Sequence, residues 1–161
     1  MLAAVERGDP FTAELAAVKA VASDAAALTP LEPFAAGGVP SNNMLGRELS
    51  ALAQPMLKTL GEQAQPSGIL EKFQASAERL VRIRPVGETP GDEPAAIISR
   101  IELKAARSDI GGALQELSRL PANVRAPAED WIRKARTRDV ALAASRKYAA
   151  DALVALGRQA P

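Results

Sequence analysis

Apolar residues in this chain recur mostly at helical spacing, and the breaks between the runs fall at Pro, Gly, Asp and Ser. Met1 to Arg7 has the pattern of the last two turns of a helix, with Gly8 placed to close it at a left-handed cap. Asp9 and Pro10 are suited to the cap and first position of a second helix, in which Phe11, Leu15, Val18 and Ala22 share a face. Ser23-Asp24 ends that unit. Leu28 to Ala36, interrupted by Pro30 and Pro33 and followed by Gly37-Gly38-Val39-Pro40, predicts one or two helical turns in a connector. After a cap at Ser41 or Asn42, Leu45, Leu49, Leu52, Met56 and Leu60 form the stripe of a longer helix, which Pro55 should kink or split.

Gln65-Pro66-Ser67-Gly68 is the clearest break in the first half. Beyond it Ile69, Leu70, Phe73, Ala77, Leu80 and Val81 line one helical face, with Lys72, Ser76 and Arg79 on the other. The period changes at Val81-Arg82-Ile83-Arg84, Pro85 forbids further helix, and residues 87–93 are turn-rich. Asp92 can cap a helix in which Ile97, Ile98, Ile101 and Ala105 face inward and Arg100, Lys104 and Arg107 face out. Ser108-Asp109 separates it from a shorter helix with Leu114, Leu117 and Leu120, ended by Pro121. The two resemble one helix-turn-helix repeat unit. The last segment, Pro127 to Leu156, is long enough for a helix of ~45 Å. Along it Trp131, Ala135, Leu142, Ala149, Leu153 and Leu156 make a narrow stripe of the kind that seeks a partner helix.

The predicted fold class is therefore all-α: an irregular helical bundle with helix-turn-helix, repeat-like pairs and one long C-terminal helix. Three stretches are expected, an N-terminal helical segment over 1–64, an amphipathic helix and linker over 65–91, and a C-terminal helical bundle over 92–161, together one compact domain. The helical start at Met1 suggests a piece of a longer chain.

Composition narrows the chemistry. The 161 residues include no Cys and no His, which excludes thiol nucleophiles, disulfides, His-based triads and the usual zinc ligand sets. No metal and no cofactor is expected, and no catalytic residue is assigned. Asp92-Glu93 and Glu129-Asp130, the adjacent acidic pairs, stand at predicted helix starts, where carboxylates complement exposed N–H groups. Gly111-Gly112 lacks the remainder of a phosphate loop. Hydrophobic residues make up 47% of the chain but aromatics only 3%; much of the apolar fraction is Ala, which forms helix readily and buries little area. The net charge of +1 gives no general reason to bind nucleic acid, and none is expected as a partner. Acidic residues dominate before residue 65 and basic ones after it, so an anionic partner would meet the second half. No apolar run approaches the ~20 residues of a transmembrane helix.

From spacing alone, residues 69–84 fit two readings, a surface-lying membrane helix or a core helix with solvated basic residues. The cluster Arg133, Lys134, Arg136, Arg138, Arg146 and Lys147 is equally compatible with a wet helix face.

Several stretches together resemble the C-terminal region of alphaproteobacterial mitofilin-like proteins: Gly8-Asp9-Pro10-Phe11 with Glu14-Leu15, Leu28 to Leu31 leading to Gly38-Val39-Pro40, Leu80-Val81-Arg82-Ile83-Arg84-Pro85-Val86-Gly87 followed by Gly91-Asp92, Leu117-Ser118-Arg119-Leu120-Pro121, and the Trp131 helix. Their order and spacing over nearly the whole chain carry the resemblance. Leu49 departs from it, standing where an aromatic would be expected. The upstream transmembrane helix and coiled coil of such proteins are not in the sequence, which accords with a piece of a longer membrane-anchored chain.

The resemblance implies a non-enzymatic, membrane-organising scaffold at crista junctions or bacterial intracytoplasmic membranes, on the periplasmic face of the inner membrane in a bacterium. It implies an anionic lipid surface as partner, with Ile69, Leu70, Phe73, Leu80 and Val81 entering the acyl boundary and Lys72, Arg79, Arg82 and Arg84 meeting headgroups. It also implies a homodimer or higher homo-oligomer, for which the stripe Trp131, Ala135, Leu142, Ala149, Leu153 and Leu156 is the expected surface. The alternative is a repeat-like helical adaptor that docks another protein on the Trp131 helix and makes no lipid contact.

Overall fold

The computed structural model describes residues 1–22, 24–63 and 91–159, and all the regular structure among them is helical. The α-helices are α1 (Leu2–Arg7), α2 (Thr12–Val21), α3 (Asn42–Gln63), α4 (Pro94–Ala106), α5 (Ile110–Arg119), α6 (Ala122–Arg125) and α7 (Glu129–Gln159). Two 3-10 helices, Ala26–Phe34 and Ala126–Ala128, join them. The all-α class and the long C-terminal helix expected from the sequence are both present. Two compact units are distinguished, residues 1–41 with 133–161, and residues 42–132.

In the first unit α1 ends at Gly8, whose φ of 80° is the left-handed cap expected there. The next turn departs from expectation. Asp9 caps nothing: α2 starts at Thr12 after Phe11, and Asp9 instead pairs with Arg7 at 2.7 Å. The reason is Phe11, fully buried, whose backbone N–H donates to the Ala35 carbonyl at 2.8 Å and so fixes where the helix can begin. Pro30 and Pro33 both lie inside the Ala26–Phe34 helix. Three residues per turn bring Leu28, Leu31 and Phe34 onto one side. Leu28 and Leu31 are fully buried with Phe11, Leu15, Val5 and Val39, and Phe34 packs against them. The segment expected to be a connector is thus a core element. From α7, Ala141, Leu142 and Tyr148 join the same cluster, and the Arg138 Nε donates to the Pro40 carbonyl at 2.7 Å.

The second unit is built on α3 and α4, with α5 packed on α4. Leu45, Leu49, Ala53 and Met56 of α3 are completely buried, as are Ile98 and Ile101 of α4. Leu52 and Leu60, expected on the stripe, are only half-buried, because the contact rotates onto Ala53. Helix α3 also runs unbroken through Pro55. Pro55 lies on the exposed side, where water can satisfy the carbonyl its missing N–H leaves unpaired. Gly46 explains the closeness of α3 to α4: a Cβ there would lie 2.4 Å from the Ala105 carbonyl oxygen. Ser108 takes the left-handed turn at φ 57°, and Asp109 then caps α5 by accepting from the Gly112 N–H at 2.9 Å. Ile110, Ala113, Leu117 and Leu120 supply the buried face of this helical pair.

Candidate functional surfaces

The lipid-facing positions inferred from the sequence, Ile69, Leu70, Lys72, Phe73, Arg79, Leu80, Val81, Arg82 and Arg84, lie outside the described residues. The expected interface stripe on α7 is covered, and the structure divides it. Trp131 is 4% exposed, and its indole Nε1 donates to the Leu45 carbonyl at 2.9 Å. The side chain is therefore a core element of its own unit and not the exposed docking point that its place on the stripe suggested. Ala135 is buried too, Leu142 packs into the first unit's cluster, and Ala149 is half-buried. Beyond Tyr148 the cover ends: Leu153 is 70% exposed and Val154 54%. The side chain of Leu156 is not among those described. Among the described members of this stripe the exposed one is Leu153, beyond the turns of α7 that the first unit's cluster covers.

The basic cluster on α7 is largely engaged with acids and backbone. Arg138 bonds the Pro40 carbonyl and Asp139, Arg146 lies 3.9 Å from Glu6, and Lys147 bonds Asp151 at 2.6 Å. The Asp151 hydrogen bond, with its charge and that of Asp24, raises the Lys147 pKa.

The acidic pairs act structurally. Glu93, not Asp92, occupies the cap position of α4, and its side chain makes no cap bond. Asp92 is instead paired with Arg119. Glu129 bonds Arg125 at 2.7 Å in the first turn of α7. No group of acidic residues able to hold a metal ion occurs among the described residues. No helix among them is long and apolar enough to cross a membrane.

The most charged buried feature was not anticipated. Arg100, expected to face outward, is 7% exposed. Its Nε and Nη2 donate to Glu116 Oε2 at 3.0 and 2.9 Å, and its Nη1 donates to the Gly91 carbonyl at 2.8 Å. Arg119 Nη1 reaches the same Glu116 oxygen at 3.3 Å. The Arg100 hydrogen bond holds the Glu116 carboxyl below its ordinary pKa of 4.5, against the opposing effect of burial, helped by the charges of Arg100, Arg119 and Lys104. The signal was present in the spacing. Arg100 stands three residues after Ile97, and Glu116 lies between Ala113 and Leu117, so both sit on apolar stripes.

Comparison with known proteins gives this arrangement a context. The chain is 30% identical over 134 residues to a protein of Sclerotinia sclerotiorum named MICOS complex subunit mic60, a match covering 79% of this chain and 20% of that relative. The chain thus spans about a fifth of the relative's length. No family model matches, and no solved structure does. The similarity supports a mitofilin-like relationship, in agreement with the resemblance carried by the sequence motifs.

Proposed function

We propose that this chain is a mitofilin-like helical domain of a non-enzymatic scaffold that organises an inner membrane, on the periplasmic face in a bacterium. The observation that carries the reading is the similarity, over most of the chain, to a protein named as a subunit of the MICOS complex. The ordered motifs from Gly8-Asp9-Pro10-Phe11 to the Trp131 helix support it, as does the all-helical architecture.

The domain works by laying residues 69–84 on an anionic membrane. Ile69, Leu70, Phe73, Leu80 and Val81 insert at the acyl boundary, and Lys72, Arg79, Arg82 and Arg84 each gain ~1 kcal/mol at the headgroups. Insertion of many copies into one leaflet expands it and bends the bilayer. Self-association multiplies the effect, and the uncovered end of α7 around Leu153 is the surface available for it.

Co-sedimentation of the full chain with phosphatidylglycerol vesicles tests the lipid step. Wild type should sediment at low salt and release as salt rises, and Leu70→Asp with Phe73→Asp should abolish sedimentation while helical circular dichroism is kept. Equal sedimentation of the variant removes these residues from the lipid role, and loss of helicity makes them core. The exposed Leu153 and Val154 favour a second reading, an adaptor docking another protein on α7. That reading holds if wild type fails to sediment at any salt concentration.

A further inference from the structure

Helix α7 has a second face, distinct from the stripe that begins at Trp131. Ala141 and Ser145 are buried and Tyr148 packs on the first unit's cluster. On the opposite side Val140, Ala143, Lys147, Ala150, Val154 and Gly157 follow in alternating steps of three and four residues, the spacing of a coiled-coil seam. All six are exposed, Val140 to 55% and Val154 to 54%. A Cβ on Gly157 would meet nothing within 4 Å, although glycine weakens a helix relative to Ala. Nothing within the described unit accounts for the glycine or covers the valines.

A second copy of the same face matches it in size and in charge. Laid antiparallel about a two-fold axis between positions 148 and 149, Val140 falls opposite the partner's Gly157, Ala143 opposite the partner's Val154 and Lys147 opposite the partner's Ala150. Every layer then sets a longer side chain against a small one, which lets the helices approach closely. Lys147 bonds Asp151 at 2.6 Å within one chain. In the antiparallel pair each Lys147 also enters a hole bordered by the partner's Asp151, so the four charges alternate. A parallel pair would set Lys147 against the partner's Lys147 and leave Gly157 against glycine. We propose that two copies of the chain pair antiparallel through this face of α7, with Leu153 at its border. The proposal rests on the reading that the chain self-associates and decides the geometry: the same patch is used on both copies, so assembly closes at a dimer.

Because the chain has no Cys, introduced thiols report the arrangement without interference. Ala143→Cys and Val154→Cys, both at exposed positions, are prepared separately in the full chain, mixed, and treated with a short bismaleimide. Covalent dimer should form in the mixture and be lost when either protein is treated alone. Like positions stand eleven residues apart along the antiparallel pair, ~16 Å at 1.5 Å per residue and beyond the linker's reach. Cross-linking of each protein with itself overturns the antiparallel arrangement while self-association stands. A dimer mass by light scattering with no cross-link in any combination moves the interface elsewhere and also overturns it. A monomer mass at high concentration overturns self-association itself, and leaves the face to a different protein.

The charges give an independent check of the register. Lys147→Glu and Asp151→Lys each place like charges across the pair, so each variant alone should lose the dimer while circular dichroism is unchanged. Mixed together, they restore opposite charges at both contacts, and the dimer mass should return. A mixture that stays monomeric overturns the register.

Discussion

In the unit of residues 1–41 and 133–161 the closest approach is backbone on backbone: a Cβ on Gly38 would sit 1.9 Å from the Gly8 carbonyl oxygen, and both glycines have φ of 80°. In the unit of residues 42–132 the tightest main-chain approach at a described glycine is helix on helix, Gly46 against the Ala105 carbonyl, with Gly46 inside α3. An Ala-rich chain has few bulky side chains to bury, so each unit gains packing by bringing main chains close. The first does so between loops, where the left-handed conformation is itself a requirement. The second does so between regular helices, where only space is at issue. The same substitution should therefore cost different amounts in the two.

Gly38→Ala is expected to have the largest effect. The left-handed conformation and the overlap with a carbonyl that is itself held at a glycine act together, for a loss of about 5 kcal/mol at the upper end of their sum. Urea unfolding should show it; a loss under about 1 kcal/mol would mean the 37–40 loop moves aside easily. Gly46→Ala should cost less, about 2 kcal/mol, because overpacking against Ala105 is partly offset by the better helix propensity of Ala. Equal losses at the two positions would remove the distinction between the units.

Between these in size stands Arg100→Met. It leaves Glu116 buried with only the longer Arg119 contact, and the expected loss is about 3 kcal/mol, whereas the paired replacement with Glu116→Leu should be close to neutral. The sign of the pH dependence follows from the lowered Glu116 pKa. Its contribution is fully present above the ordinary value of 4.5 and is lost as the pH falls through the depressed folded-state value. Unfolding curves compared between pH 7 and acid should show this component in wild type and lack it in the paired variant. The first unit has no buried ion pair among its described residues, so this acid sensitivity should be confined to α4 and α5.

Much of the fold is legible in the amino-acid sequence alone. Ile97, Ile98, Ile101 and Ala105 occupy the inward positions that helical spacing assigns them, and Gly8 ends α1 as its place after Arg7 requires. The failures share a cause, in that long-range partners decide what local signals cannot. Asp9-Pro10 is a sound helix start, but the Phe11 bond to Ala35 moves the start to Thr12. Arg100 reads as solvated because a cation normally is, and its burial is made tolerable by partners that helical spacing does not show, among them Glu116, sixteen residues on, and the Gly91 carbonyl. Trp131 reads as an anchor for a partner because nothing local shows that its indole reaches Leu45, eighty-six residues away. Of the candidate surfaces, the spacing locates the α7 stripe, but which turns are already covered depends on where the first unit's cluster stops.

Two positions on α7 sharpen that last point with small effects. Ser145 is fully buried and its hydroxyl has no hydrogen-bond partner. Ser145→Ala should therefore stabilise the chain by about 1 kcal/mol, the cost of an unsatisfied buried hydroxyl; thermal unfolding would show the gain, and a loss would reveal a bond formed in solution. Two turns later the argument reverses. Leu153 is 70% exposed, so Leu153→Ser should change stability by less than about 0.5 kcal/mol. If the end of α7 is a surface for self-association, the same substitution should lower the mass seen by light scattering at high concentration. An unchanged mass would withdraw Leu153 from the interface and leave the buried turns of α7, up to Ser145, as the part of the helix that the fold itself accounts for.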